Sequence, residues 1–288
     1  MSAVFRHEVS SHFTNLTGYV LGAFVLLFAG IYSMVYNLKS QVANFEYVMG
    51  SMAFIYLIVV PVLTMRVISE ERRQKTDQLL YSLPLTTAKI VLGKYFALLV
   101  TLLPPLAVIC IYPLVLHGYG DLYLPTAYAA IFGFFFLGAA LIAIGLFVSS
   151  LTESQAVAAG LCFAVMIVNY FISILSAYVS SSAFASLAAF LVLILVADAV
   201  YFFMTRSALT AAPAALVPCA ALIAVYTFRS EDFEGLFPTL MADISLFERF
   251  YTIVDGSLDL TSIFYFVSVG AVFVFLTVQS MEKRRWSE

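Results

Sequence analysis

The sequence predicts an all-α polytopic membrane protein of about eight transmembrane helices, with the N- and C-termini cytoplasmic. Three observations predict it. Of 288 residues, 63% are hydrophobic and 11% are charged, against about 25% charged in a soluble domain. The apolar residues fall in runs of about 20, the length that crosses a bilayer core as a helix, and not in the short alternating segments of a barrel. The basic residues collect in a few places between those runs, as cytoplasmic loops require. Residues 1–288 are read as a single transmembrane domain.

Residues 2–15, SAVFRHEVSSHFTN, form an interfacial N-terminal helix in this reading. Val4, Phe5, Val9 and Phe13 would meet the membrane, and Arg6, His7, Glu8 and His12 would face water or headgroups; an ordinary polar lead-in is the alternative. No A-x-A-like site follows the first apolar run, so that run is read as a retained helix and not as a cleaved signal peptide. This first span covers about 17–37 and contains Gly18-x-x-x-Gly22, a spacing that permits close helix packing and also arises by chance. A second span at about 48–66 precedes the longest strongly charged stretch. Residues 66–96 hold six of the fourteen Lys and Arg residues: Arg66, Arg72, Arg73, Lys75, Lys89 and Lys94. Within the segment 67–94, residues 70–83 can form a cytoplasmic helix whose Leu79, Leu80 and Leu83 rest on the membrane or a partner. Glu70, Glu71, Arg72 and Arg73 would then point to water or to a second protein. Pro84 ends it, and Thr86 or Thr87 caps a new helix. A solvated loop that merely anchors topology is the other reading.

Spans three and four cover about 96–116 and 126–148, with a kink expected at Pro104 and Pro105. The loop after span four is short, Ser149 to Gln155. Span five runs to about 178. Apolar runs at about 184–204 and 211–228 follow, read as a helical hairpin over 184–228 that makes spans six and seven, or alternatively a re-entrant pair. Residues 229–261 are acidic yet repeatedly apolar at three- and four-residue steps. That pattern predicts one or two amphipathic helices at the outer leaflet. The last span covers about 262–280 and ends in Lys283, Arg284 and Arg285. With the amino terminus inside, eleven basic residues face the cytoplasm, and Lys39, Arg229 and Arg249 remain outside.

The chain lacks the motifs of catalysis. Gly93-Lys94 has Ala88 where a phosphate-binding loop needs Gly. There is no HExxH or G-x-S-x-G motif, and the three histidines are dispersed. Cys110, Cys162 and Cys219 lie in apolar runs and read as small hydrophobes. Asp198, nearly alone within a span, is a candidate intramembrane polar site. Such poverty of titrating groups argues against a proton-coupled transporter.

The stretch Glu70-Glu71-Arg72-Arg73-x-x-Thr76-x-x-Leu79-Leu80-x-x-x-Pro84, followed by Ile90-Val91-Leu92-Gly93-Lys94, resembles the signature after span two of type-2 ABC exporter permeases. The similarity is greatest to the subgroup linked with gliding motility and copper-enzyme maturation. Residues 144–155, 245–259 and 275–286 resemble its loop after span four, its outer amphipathic segment and its carboxyl terminus. The sequence departs from the pattern at Lys75, where Gly is common, at Gln78, where an acid is common, and at Leu246, where Pro is usual. The 184–228 hairpin is additional to the six-helix core.

The resemblance implies a permease of the bacterial cytoplasmic membrane that couples ATP hydrolysis by a separate ATPase dimer to export or mechanical work. Glu70, Glu71, Arg72, Arg73, Thr76, Leu79, Leu80, Thr152, Glu153 and Gln155 would contact that ATPase. ATP and Mg would sit on the partner, with no cofactor on this chain. A second permease chain, identical or related, and an extracytoplasmic accessory protein are further implied partners, and nucleic acid is not. The competing readings are a secondary transporter or channel working without an ATPase, and a membrane scaffold of a larger complex.

Overall fold

The computed structural model describes residues 2–14, 16–76, 86–205, 208–256 and 259–287. In chain order the helices are α1 (Ser2–Thr14), α2 (Thr17–Lys39), α3 (Glu46–Arg73), α4 (Thr87–His117), α5 (Leu124–Leu151), α6 (Gln155–Ser176), α7 (Ala183–Thr205), α8 (Ala208–Phe228), α9 (Leu236–Ile244), α10 (Leu246–Val254) and α11 (Leu260–Ser287). Among the described residues, α2, α3, α4, α5, α6 and α11 are long and apolar enough to cross a membrane. The hairpin contributes two shorter apolar stretches, Ala183–Val196 and Leu216–Phe228. The fold is therefore all-helical, with six long candidate spans and two shorter apolar helices.

Chain contacts divide the protein into two compact units, residues 1–168 with 249–288 and residues 169–248. The first unit is built on α3 and α5, whose facing sides are almost wholly buried. Glycines let them approach. A Cβ on Gly138 would lie 2.5 Å from the Tyr56 hydroxyl, and one on Gly145 would collide with Thr64. Tyr56 stacks on Phe134 at 4.3 Å and donates its hydroxyl hydrogen to the Phe134 carbonyl at 2.9 Å. The phenol is thereby satisfied inside an apolar core. Along the other side of α5 runs α11, where Phe147 meets Phe273 and the Ser280 hydroxyl donates to the Ser150 carbonyl.

The Gly18 and Gly22 pair is used within the chain. A Cβ on Gly18 would stand 3.4 Å from Thr101, and one on Gly22 3.9 Å from Pro105, so α2 packs on α4 along this edge. The α4 helix starts at Thr87, where the sequence predicts a new helix, and runs through Pro104 and Pro105. Its interruption falls at Cys110, three residues before Pro113. Pro113 cannot donate the hydrogen bond that the Ile109 carbonyl would otherwise receive.

Two expectations for amphipathic segments are corrected. On α1, Glu8 and His12 are not turned to water: both are partly buried, and Glu8 reaches Lys94 of α4. In the 229–261 segment two main helices form, but the second does not rest on lipid. Phe250, Ile253 and Val254 of α10 are buried in the first unit, against Gly133 and Phe134 of α5 and Gly50 of α3.

In the second unit, α7 packs on α8, and α9 is fastened to α7. The Gly235 amide donates to the Ser181 carbonyl, the Phe237 amide to the Ser186 hydroxyl, and Phe190 meets Phe237 edge-on. Asn169 holds the start of α10, accepting from the Leu246 amide at 3.0 Å and receiving the Ser245 hydroxyl on its carbonyl at 3.2 Å.

Candidate functional site at the basic end

The basic residues around 66–94 and the ending Lys283–Arg285 meet at one end of the first unit. Of the expected 70–83 helix, residues 77–83 lie outside the described residues. Residues Ser69–Arg73 continue α3 after a turn at 65–68, and the helix stops at Arg73. The stop is built by hydrogen bonds from the Thr76 amide to the Glu71 carbonyl and from the Lys75 amide to the Arg72 carbonyl. Lys75 between them sits at φ 56°. This is the pairing that closes a helix through a left-handed residue, a position glycine fills without strain. The departure at Lys75 therefore has a backbone meaning. Leu79 and Leu80 lie outside the described residues.

Lys94 lies inside α4, one hundredth exposed, and its ammonium has three acceptors. Glu8 and Glu71 each contribute a carboxylate oxygen at 2.6 Å, and the Val67 carbonyl stands at 3.2 Å. Three donors meet three acceptors, the condition under which a buried ammonium is tolerated. The triad joins α1, α3 and α4. Beside it, burial pushes the His12 imidazole below its ordinary pKa; the nearby Glu8 carboxylate opposes this and Lys94 reinforces it.

The Ser149 hydroxyl, at the end of α5, binds the turn in α3. It accepts from the Ile68 and Ser69 amides at 3.3 Å each and donates to the Met65 carbonyl at 3.4 Å. One side chain so ties the charged segment to the loop that follows α5. In that loop the Arg284 guanidinium of α11 pairs with Glu153. Its hydrogen bond and charge hold the Glu153 carboxyl below the usual range, with Arg72 and Lys75 adding to the effect.

The structure thus brings Glu71, Arg72 and Glu153 to one place and divides them by exposure. Arg72 is buried, at 5% exposure, and Glu71 is turned inward to Lys94, so neither projects to water as expected. Arg73 and Glu153 are exposed, and Glu70, Thr76, Thr152 and Gln155 are at least partly accessible. Asp198 belongs to the second unit. It is half-buried on α7, and its Oδ1 has no hydrogen-bond partner among the described residues. Sequence reasoning missed Glu8, Ser149 and Arg284 as members of this cluster, and read Lys94 as a topological charge and the end of the motif after span two, not as a buried, paired cation. The available signal was the position of Lys94, two turns inside an apolar helix, where a cation needs a partner. Among the described residues no group of His, Cys, Asp and Glu is arranged to hold a metal ion.

Six long apolar helices with their charged residues gathered at one end define the class as a multi-pass membrane protein. Residues 3–253 match the family described as ABC-2 family transporter protein. The chain belongs to that family and is a permease, the non-catalytic membrane subunit of an ABC transporter. Permeases of this family work with ABC ATPase partners. No curated protein and no solved structure matches the chain.

Proposed function

We propose that the basic end is the cytoplasmic coupling face through which a pair of ABC ATPases drives export or mechanical work. The observation that carries this reading is the convergence of two separate chain segments. The 66–76 stretch and the 149–155 loop are joined by the Ser149 hydroxyl and neighbour one another's charges. A push on either is transmitted to α3, α4 and α5 together. Both termini are then cytoplasmic, in keeping with eleven basic residues on that side, and 184–228 is an added hairpin. Exposed Arg73 and Lys75, with Glu153, Thr152 and Gln155, form the docking surface. Glu71 and Arg72 act from beneath it, and Leu79 and Leu80 complete the segment. We further infer a bacterial cytoplasmic membrane, a second permease chain, and the gliding-motility and copper-enzyme-maturation subgroup on the motifs quoted above.

The test is purification of the native complex in mild detergent with identification of every subunit. An ABC ATPase is expected in it. Arg73→Glu with Lys75→Glu should lower its recovery about tenfold, equivalent to 1.4 kcal/mol, at unchanged permease yield. A complex without any ATPase, under conditions that keep the permease folded, refutes the reading.

A further inference from the structure

At the end of the first unit opposite Lys94, the last turns of α2, Met34–Lys39, are wound as a π helix. Such turns are rare and cluster at functional sites. Here the wider turn borders a cleft between the ends of α2 and α4, made of two neighbouring parts. The inner part, about 330 Å³, is an apolar slot lined by Leu38, Val108, Ile111, Val115 and Leu116, with Ser33 in its wall. The outer part, about 290 Å³, shares Leu38 and Leu116 and adds Asn37, Gln41 and Tyr119. Each volume lies at the small end of the range for ligand pockets.

We propose that this cleft is a glycerolipid site, with an acyl chain in the slot and the ester and glycerol region at the mouth. The slot runs along two candidate spans, and Val108, Ile111 and Val115 are open to the surface. In a bilayer the molecules that reach such a surface are lipid chains, and a chain lying in the slot gains dispersion contacts with its walls. The one polar group in the slot wall besides the Tyr112 phenol is engaged: the Ser33 hydroxyl donates to Asn37 Oδ1 at 3.3 Å.

The mouth is braced before any ligand arrives. Asn37 Nδ2 donates to the Val42 carbonyl at 2.8 Å and to that of Asn44 at 3.4 Å, pinning the loop after the π turn. That leaves the Gln41 amide and the Tyr119 hydroxyl, on an almost fully exposed side chain, as the groups that meet an ester or hydroxyl. No charged side chain lines either part. The site reads the uncharged glycerol-ester region and is indifferent to the headgroup beyond it.

The experiment uses the full chain in vesicles of phosphatidylcholine carrying a diazirine on one acyl chain, with crosslinked residues mapped by mass spectrometry. Labelling is expected on Leu38 and along Val108–Leu116 at about ten times the level on the exposed face of α6 at Val157 and Leu161. Replacing the probe by the corresponding phosphatidylglycerol should leave the ratio unchanged. Val108→Trp, and separately Val115→Trp, fill the slot and should abolish the excess while the thermal midpoint stays at the wild-type value. Gln41→Ala with Tyr119→Ala should lower it without touching the slot. Equal labelling of α6 and the cleft, the signature of boundary lipid only, overturns the proposal, as does an excess that survives both tryptophans. The readout is on the permease alone, so it does not depend on the ATPase reading.

Discussion

The α3–α5 pair is closed differently at its two ends. At the basic end the closure is polar: Lys94 with Glu8 and Glu71, Ser149 with the 65–69 turn, Arg284 with Glu153. At the other end it is mainly apolar: Phe250 and Ile253 of α10 fit against Gly133 and Phe134, with the Thr126 hydroxyl donating to Glu46 nearby. The difference teaches where movement is cheap. The exposed Arg284–Glu153 pair can exchange partners with solvent at small net cost, while the buried Lys94 triad moves α1, α3 and α4 as one body. A close-packed aromatic wedge can shift only by opening a void or forcing a clash. The polar end is suited to receiving a displacement, and the apolar end to holding the helices in register while it happens.

The largest way to break this contrast is Lys94→Met, which strands two carboxylates in a nearly closed site. Removing one partner of a buried ion pair costs about 3–5 kcal/mol, and a large fall in the thermal midpoint in detergent is expected. Adding Glu8→Gln and Glu71→Gln should recover most of it, because an uncharged cluster leaves no orphan charge. If coupling runs through the triad, the recovered triple variant should remain defective in permease-stimulated ATP hydrolysis. Restored stimulation would confine the triad to stability.

Next comes Phe250→Ala at the opposite end, fully buried in the native protein. A cavity of this kind costs about 3 kcal/mol. Unlike the Lys94 change, it should not be recoverable by any neutralising partner substitution. Thermal unfolding of the variant alone and combined with Glu46→Gln checks this.

Gly145→Ala probes the middle of the pair, where the new methyl would meet Thr64. Overpacking of about 1–3 kcal/mol is expected, with partial rescue by Thr64→Ser, which removes the methyl closest to the intruding carbon after the hydroxyl. An unchanged midpoint would mean that α3 and α5 separate more freely than their contacts imply.

The smallest effect concerns His12. Its folded pKa is depressed by burial, so the unfolded chain binds the proton more readily. Stability then falls as pH drops below about 6.5, the unfolded value, until the folded group also protonates. His12→Phe should flatten that slope between pH 7.5 and 5.5 in thermal unfolding. A slope identical to wild type would assign the acid sensitivity elsewhere in the basic end.

Much of the architecture was legible from apolar runs because a helix that crosses a bilayer must satisfy its own backbone within about 20 residues. The first, fourth and fifth spans begin and end within a few residues of expectation. The stop at Arg73 was not legible, because a left-handed Lys75 obeys no propensity rule and is held by its two flanking hydrogen bonds. The inward turn of Arg72 was hidden for a related reason: four consecutive charged residues look solvated until a neighbouring helix covers one side of them.

Composition and charge spacing by themselves determined that this chain is a multi-pass helical protein with its basic residues gathered between spans, since hydrophobic length and charge bias act locally on each segment. Only the tertiary structure decided which charges are working partners and which are surface. Glu8, Glu71 and Lys94 are remote in sequence, and a pairing at 2.6 Å between them exists only because α1, α3 and α4 pack together. The same holds for α10, whose amphipathic pattern fits a lipid surface and a protein groove equally well. The glycines of α3 and α5 made the groove the better fit, by letting its aromatic and aliphatic side chains approach the backbone.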